Sequence, residues 1–195
     1  IALEITPELR EGLDIGIAYK LRHLVESGEL TLRVIQHLQP LPEPHLNSLW
    51  LEAREDIYRF FGEAIANVIH HAQPPQGKAT QVQVSLEQQE GKCTLSIEND
   101  GSIVDPTAFD ITPAQRQRGG YGTKLMETIA VELPAGSFEK IALPEGGVRV
   151  RLTWNLLFNT NSSNLPDNSI NATQRNRFSA TLISHPGRSP RSGAE

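Results

Sequence analysis

Glu63 and Asn67 stand four residues apart in the stretch Glu63-Ala64-Ile65-Ala66-Asn67, with His71-Ala72 behind it, so a carboxylate and a carboxamide share one helix face. Asn99-Asp100-Gly101, thirty-two residues after Asn67, is a turn that closes an alternating apolar stretch. In Arg118-Gly119-Gly120-Tyr121-Gly122-Thr123-Lys124-Leu125-Met126, glycines precede an apolar-periodic segment, where free backbone N–H groups and a helix N-terminus can receive phosphate. Gly146-Gly147 then feeds a last alternating strand, Val148 to Trp154. Each piece is common by itself. Their order and spacing make a layout for holding a magnesium nucleotide.

These pieces need a scaffold, and the chain can supply one. Its 195 residues, 38% of them hydrophobic, fit one domain with an appendage. Residues 1–154 carry 14 Lys and Arg against 21 Asp and Glu, whereas residues 155–195 carry 4 against 2. An acidic body argues against nucleic acid as the main partner. Cys93 is the single cysteine, in an apolar alternation with Leu95 and Ile97, which suits a small buried residue in a reducing compartment. The apolar runs fall far short of a membrane span, so a cytoplasmic location is expected. The first residue is Ile1, and an upstream sensor or membrane segment can precede it.

Thr6-Pro7-Glu8 reads as a capped helix start, and Ile17, Leu21, Leu24 and Val25 extend an apolar face to Gly28. A strand follows through Leu30, Leu32 and Val34, ended by Pro40, Pro42 and Pro44. A long helix is expected from about Leu46 to Ala72, with Ile57, Phe60, Phe61, Ala64, Ile65, Val68 and Ile69 at three- and four-residue steps. Gln81–Leu86 and Cys93–Asn99 read as a hairpin turning at Glu90-Gly91. Residues 100–118 lack periodicity and read as a loop or lid. A helix over 120–131 and strands over about 137–143 and 147–155 complete the domain. The pattern is α+β: a two-layer sandwich whose mixed, largely antiparallel sheet is covered on one face by helices. The expected boundaries are a folded domain over 1–156 and a disordered tail, rich in Asn, Ser, Arg and Pro, over 157–195.

Glu63-Ala64-Ile65-Ala66-Asn67-Val68-Ile69-His70-His71-Ala72 resembles the first motif, Glu-Ala-x-x-Asn-x-x-x-His-Ala, of the ATP-binding domain shared by sensor histidine kinases, gyrase-type topoisomerases and anti-sigma-factor kinases. The resemblance runs in order from about Ile5 to Trp154. It is nearest to the catalytic domains of histidine kinases typified by nitrate and membrane-fluidity sensors. It implies the Bergerat-type ATP-binding fold. The family's second motif, Asp-x-Gly-x-Gly, reads Asn99-Asp100-Gly101-Ser102-Ile103 here, so Asn99 stands where an adenine-contacting Asp is usual.

With that resemblance, Asn67 is the candidate Mg²⁺ ligand, since this ion prefers oxygen and shares its shell with phosphates and water. Glu63 is the candidate catalytic group, orienting or deprotonating the attacking atom. His70 and His71 fall near the phosphates. Adjacent helical positions diverge by about 100°, so the pair does not chelate one ion. Asn99, Asp100 and Gly101 fall to the adenine, and Gly120, Tyr121, Gly122, Thr123 and Lys124 to the phosphates. His23 lacks a following acidic residue and a dimerising hairpin, and reads as a structural histidine, not a phosphoacceptor.

The expected function is that of the Mg-ATP-binding catalytic domain of a two-component sensor histidine kinase. It would present the γ-phosphate to a histidine on a separate dimerisation segment, with a response regulator downstream and homodimerisation only in a longer parent protein. Two alternatives stay open: an anti-sigma-factor-type serine kinase, and a degenerate nucleotide-binding or interaction module without turnover.

Overall fold

Apolar residues occupy every second position in Gln81–Gln89 (β2), Lys92–Asn99 (β3) and Val148–Asn155 (β5), and these segments form the centre of a five-stranded sheet. The computed structural model describes residues 6–42, 48–101 and 121–156. Arg33–Leu38 (β1) lies parallel to β2 at one edge, Ser137–Ala142 (β4) lies antiparallel to β5 at the other, and the order is β1-β2-β3-β5-β4. The two inner pairings are antiparallel. Glu90 (φ 51°) and Gly91 (φ 80°) both turn left-handed, as a two-residue hairpin matching the strand twist requires.

One face of this sheet is dry. Val82, Val84, Leu86, Cys93, Leu95, Ile97, Val150, Leu152 and Trp154 are buried on it, under Leu13–Glu26 (α2), Ser48–Asn67 (α3) and Tyr121–Glu132 (α4). Helix α3 contributes Ile57, Phe60, Phe61, Ala64 and Ile65 to the same core. Each fully buried large apolar side chain stabilises by about 1.5–3 kcal/mol. Cys93 is buried as expected, and burial pushes its thiol up to about 11, so it is inert packing. The α+β sandwich with a mixed sheet is the architecture that the alternation implied.

Three local expectations are corrected. The first helix is broken: Thr6 caps a short helix Pro7–Glu11 (α1) through a hydrogen bond from Leu9 N, and α2 starts anew after Gly12. The break lets Leu9 lie over Gly16, where an added Cβ would come within 2.9 Å of it. Buried Arg54 closes the end of α1 by donating from Nη1 to the carbonyls of Leu9 (2.9 Å) and Arg10 (2.8 Å). Strand β1 begins at Arg33 rather than Leu30, because Leu30 and Leu32 serve the core in the approach to the strand. Last, α3 does not stay α-helical to Ala72 but widens into a π-helical turn over Val68–Ala72. The expected loop over 102–118 and the tail from residue 157 lie outside the described residues.

Polar contacts close the end of the sheet where β3 stops. Asp100 Oδ1 accepts from the N–H groups of Thr80 (2.8 Å) and Gln81 (3.0 Å), and Oδ2 accepts from the Thr80 hydroxyl. Ala79 N donates to Ala72 O (2.9 Å) and Lys78 N to Gly101 O (3.2 Å), so the π-helical turn and the β3 end are joined through residues 78–80. Gln73 ties the same region to the α2–β1 connection, accepting from Thr31 N and donating to Glu29 O. Gly147 (φ 103°) passes so close to Asn99 that a Cβ would overlap the Asn99 carbonyl oxygen.

Two stability predictions follow from this end of the sheet. Burial raises the Asp100 pKa, but the Thr80 hydroxyl and the backbone N–H groups of Gln81 and Thr80 outweigh it and hold the carboxyl below its usual range. A depressed folded pKa adds stability that is present above the unfolded value near pH 4 and lost as pH falls through the folded value. The gap in thermal midpoint between wild type and Asp100→Asn should therefore be widest at neutral pH and shrink below about pH 4. A gap independent of pH would contradict the role assigned to the carboxylate. Gly147→Ala should cost at least about 2 kcal/mol in urea unfolding, since both its φ and the Asn99 backbone exclude a Cβ.

Candidate nucleotide site

Helix α3 presents two kinds of surface. Its core face is apolar, and its flank carries Glu63 and Asn67, both half-buried, one turn apart. The π-helical turn begins at the next residue, Val68, with Gln73 N donating to Val68 O (3.1 Å). Such turns are rare and recur at functional sites. They widen the helix locally and re-aim the side chains that follow. His70 and His71 are both exposed on this turn, with rings 6.3 Å apart and nearly perpendicular. No group of three metal-ligating side chains exists among the described residues, and the histidine pair completes none.

Glu63 reaches toward the start of α4. A Cβ added to Gly122 would stand 2.7 Å from Glu63 Oε2, so the missing side chain at Gly122 makes room for the carboxylate. The first turn of α4, whose N–H groups have no partner within the helix itself, thus brings partial positive charge near Glu63. Thr123 is half-buried there, Lys124 is exposed, and Tyr121 is 91% exposed. Gly120 lies outside the described residues.

Asn99 and Asp100 part company at the strand end. Asn99 follows the alternation of Leu95 and Ile97, so it faces the helix layer, and it is only 5% exposed. Its Nδ2 donates to the carbonyl of Val148 (3.4 Å), its register partner on β5. Asp100 is exposed, and both of its carboxylate oxygens are engaged by Thr80 and Gln81. Gly101 is pressed against the backbone of Lys78 and Ala79, where a Cβ would come within 2.4 Å. The structure therefore gathers Glu63, Gly122 and the α4 start at one place. It links Asn67, the π-helical turn and Asn99–Gly101 through a hydrogen-bonded backbone.

A concavity of about 800 Å³ on the face of the sheet opposite the helices contains none of these residues. Gln83, Ser85, Thr94 and Ser96 line it, and Arg149 Nε donates to Glu98 Oε2 across it at 2.6 Å. That polar surface is the solvated side of a twisted sheet. His23, exposed on α2, stacks in parallel on Tyr19 with ring centroids 6.4 Å apart, in keeping with a structural histidine. Sequence reasoning missed Thr80, Gln73 and the approach of Lys20 to Gly62 on α3. Each depends on a contact between segments far apart in the chain, for which periodicity carries no signal.

Comparison with known proteins bears on this geometry. The histidine kinase-like ATPase domain family matches residues 44–154. Among solved structures, the histidine kinase domain of the blue-light activated histidine kinase of Erythrobacter litoralis EL346 is similar, with a TM-score of 0.57 and 16% identity over 74% of this chain and 61% of that one. The histidine kinase AdeS of Acinetobacter baumannii has a TM-score of 0.53 and 14% identity, over 75% of this chain and 66% of that one. The catalytic domain of histidine kinase ThkA has a TM-score of 0.52 and 16% identity, over 76% of this chain and 92% of that one. These identities speak for the fold alone, and this chain spans less than two thirds of the first two relatives. No curated protein matches it. A family match over more than half of its length, on a fold shared with these kinase domains, places the chain in the histidine kinase-like ATPase domain family.

Proposed function

We propose that this chain is the Mg-ATP-binding catalytic domain of a two-component sensor histidine kinase and presents the γ-phosphate to a histidine on a separate dimerisation segment. The observation that carries this reading is the placement of Glu63 and Asn67 on one flank of α3, with Glu63 against the first turn of α4 and a π-helical turn directly after Asn67. The donor set suits the ion. Asn67 offers one half-buried neutral oxygen, and Mg²⁺ takes few protein ligands because phosphate oxygens and water fill its octahedron. ATP supplies the phosphoryl group, and the ion bound with it neutralises charge.

The protein's part is positioning. Asn67 would hold the ion on the triphosphate, and the backbone N–H groups of Gly122 and Thr123, with Tyr121 and Lys124, would receive the phosphate oxygens, a role the sequence gives to Gly120 as well. His70 and His71 border the phosphates from the π-helical turn. Glu63 orients the attacking imidazole or accepts its proton, within reach of the same helix end. Phosphoryl transfer needs little covalent chemistry from the protein, and this set provides position and charge. Asn99, inward-facing and buried, takes the adenine amine through its carbonyl oxygen, while Asp100 and Gly101 shape the turn behind it. The acceptor hairpin, the response regulator, dimerisation and a cytoplasmic location belong to the parent protein in this reading. No helix among the described residues is long and apolar enough to cross a membrane.

Isothermal titration with Mg-ATP tests the core of this reading. Asn67→Ala should lose the Mg²⁺-dependent part of the affinity, and Glu63→Gln should keep binding while slowing transfer to a supplied acceptor. Unchanged Mg²⁺ dependence in Asn67→Ala would remove the metal assignment. The chain alone should not label itself from γ-labelled ATP. Label on His23 would contradict the assignment of the acceptor to another segment.

Asn99 also sets the adenine affinity. A carboxylate there would bond the amine more strongly by charge assistance, but Asn99→Asp alone would set a carboxylate beside the Val148 carbonyl, which now accepts from the amide. Val148→Thr supplies a hydroxyl donor on the register partner of residue 99. The double substitution should tighten ATP about tenfold, or ~1.4 kcal/mol, and sharpen the preference for ATP over GTP. Equal affinities for both nucleotides in both proteins would place the adenine contact elsewhere.

A further inference from the structure

Gly62 sits inside the 20-residue helix α3, where glycine is less stable than alanine by roughly 0.5–1 kcal/mol. The space left by its missing side chain is used. A Cβ at Gly62 would stand 3.3 Å from the ammonium nitrogen of Lys20, which reaches across from α2. The Tyr58 ring, one turn before Gly62, lies 5.3 Å from the same nitrogen. Tyr58 and Gly62 thus form a slot on α3 that receives the head of a lysine, with Glu63 as the next residue.

Lys20 is half-buried, and among the described residues it belongs to none of the ion pairs, which join Arg59 to Asp56, Arg149 to Glu98 and Arg151 to Glu139. Burial lowers its pKa, and the charges of Glu29 and Glu63 pull in the opposite direction. Glu29 already accepts a hydrogen bond from the Ser27 hydroxyl at 3.1 Å and is exposed. Glu63 is half-buried, follows Gly62 in the chain and directs its Oε2 at Gly122 in the first turn of α4. Lys20 itself lies outside residues 44–154, the stretch that the family matches.

We propose that Lys20 is a positioning residue for Glu63: its ammonium, seated over Gly62, fixes the neighbouring carboxylate against the first turn of α4. The proposal rests on the role given to Glu63 above. A cation on one side and a helix N-terminus on the other hold the carboxylate between two positive ends. It then needs no direct hydrogen bond to stay in place, and it stays available to an incoming imidazole or water. A side chain at Gly62 would push the ammonium aside by a few tenths of an ångström.

Two measurements on the whole chain test this. The first is a double-mutant cycle in urea unfolding with Lys20→Met, Glu63→Gln and both together. The Lys20 substitution should cost clearly less in the Glu63→Gln background than in wild type, Lys20→Arg should retain most of the coupling, and Gly62→Ala should weaken it. Additive losses would overturn the proposal. The second is release of phosphate from Mg-ATP, with water as the acceptor. Lys20→Met should lower kcat several-fold at unchanged KM, should add nothing in the Glu63→Gln background, and should be largely rescued by Lys20→Arg. A raised KM at unchanged kcat would also overturn it. A Glu63→Gln protein with wild-type kcat, alongside a non-additive unfolding cycle, would instead refute the role of Glu63 and leave the pair as structural. If wild type releases no phosphate, the unfolding cycle decides whether the two residues are coupled.

Discussion

Everything in this domain hangs on helix α3 lying across a sheet that is dry on one face only. Phe60, Phe61, Ala64 and Ile65 must face Leu95, Ile97 and their neighbours, and that requirement sets the rotation of the helix about its own axis. Once it is set, residues at other angles have no choice of position. Glu63 and Asn67 fall on a flank, half-buried, because the core has taken the face next to them. Burial worth about 1.5–3 kcal/mol for each large side chain outweighs the few tenths at stake in the local preferences of Glu63 or Asn67. The polar pair is therefore held in place by the apolar residues of the neighbouring face.

The second constraint lies at the end of the sheet, where backbone groups that would otherwise go unpaired must find partners. Asp100 supplies three acceptor contacts to Thr80 and Gln81, and Ala72 and Gly101 supply carbonyls to Ala79 and Lys78. These bonds join the C-terminal end of α3 to the end of β3. Because Gly147 lies against the Asn99 backbone, β5 closes the same region from its other side. The segments carrying Asn67 and Asn99 are thus coupled through a short, well-bonded path. The Asp100 carboxylate, a candidate ligand group in the sequence, also ties this architecture together.

The sheet and the long helices could be read from the sequence because each is driven by burial on a single face, and burial on one face leaves a period. Val82, Val84 and Leu86 announce a strand, and Ile57, Phe60, Phe61 and Ala64 announce a helix, whatever they pack against. The exceptions share a cause. The break at Gly12 depends on Leu9 meeting Gly16 and on Arg54 arriving from α3. The π-helical turn has no periodic signature over five residues. For the site, residue types and order pointed to Glu63, Asn67 and Asn99, but not to the partition between Asn99, facing inward, and Asp100, facing the β2 start. That partition is a consequence of strand alternation meeting a turn, and it appears only once the register is known.

Charge balance links the helix pair to the sheet. The body of the chain is acidic, yet the proposed function requires a triphosphate to settle beside Glu63, where like charges repel. The start of α4 attracts the carboxylate and a phosphate for the same reason, a partial positive charge of limited reach. Two anions at one helix end need more positive charge than the helix supplies. Mg²⁺ provides it on the phosphate side. On the carboxylate side we assign this part to the Lys20 ammonium, delivered from α2 to the gap at Gly62 beside the Tyr58 ring. The carboxylate and the phosphate are then held by different groups, and the two anions are separated by what holds each of them.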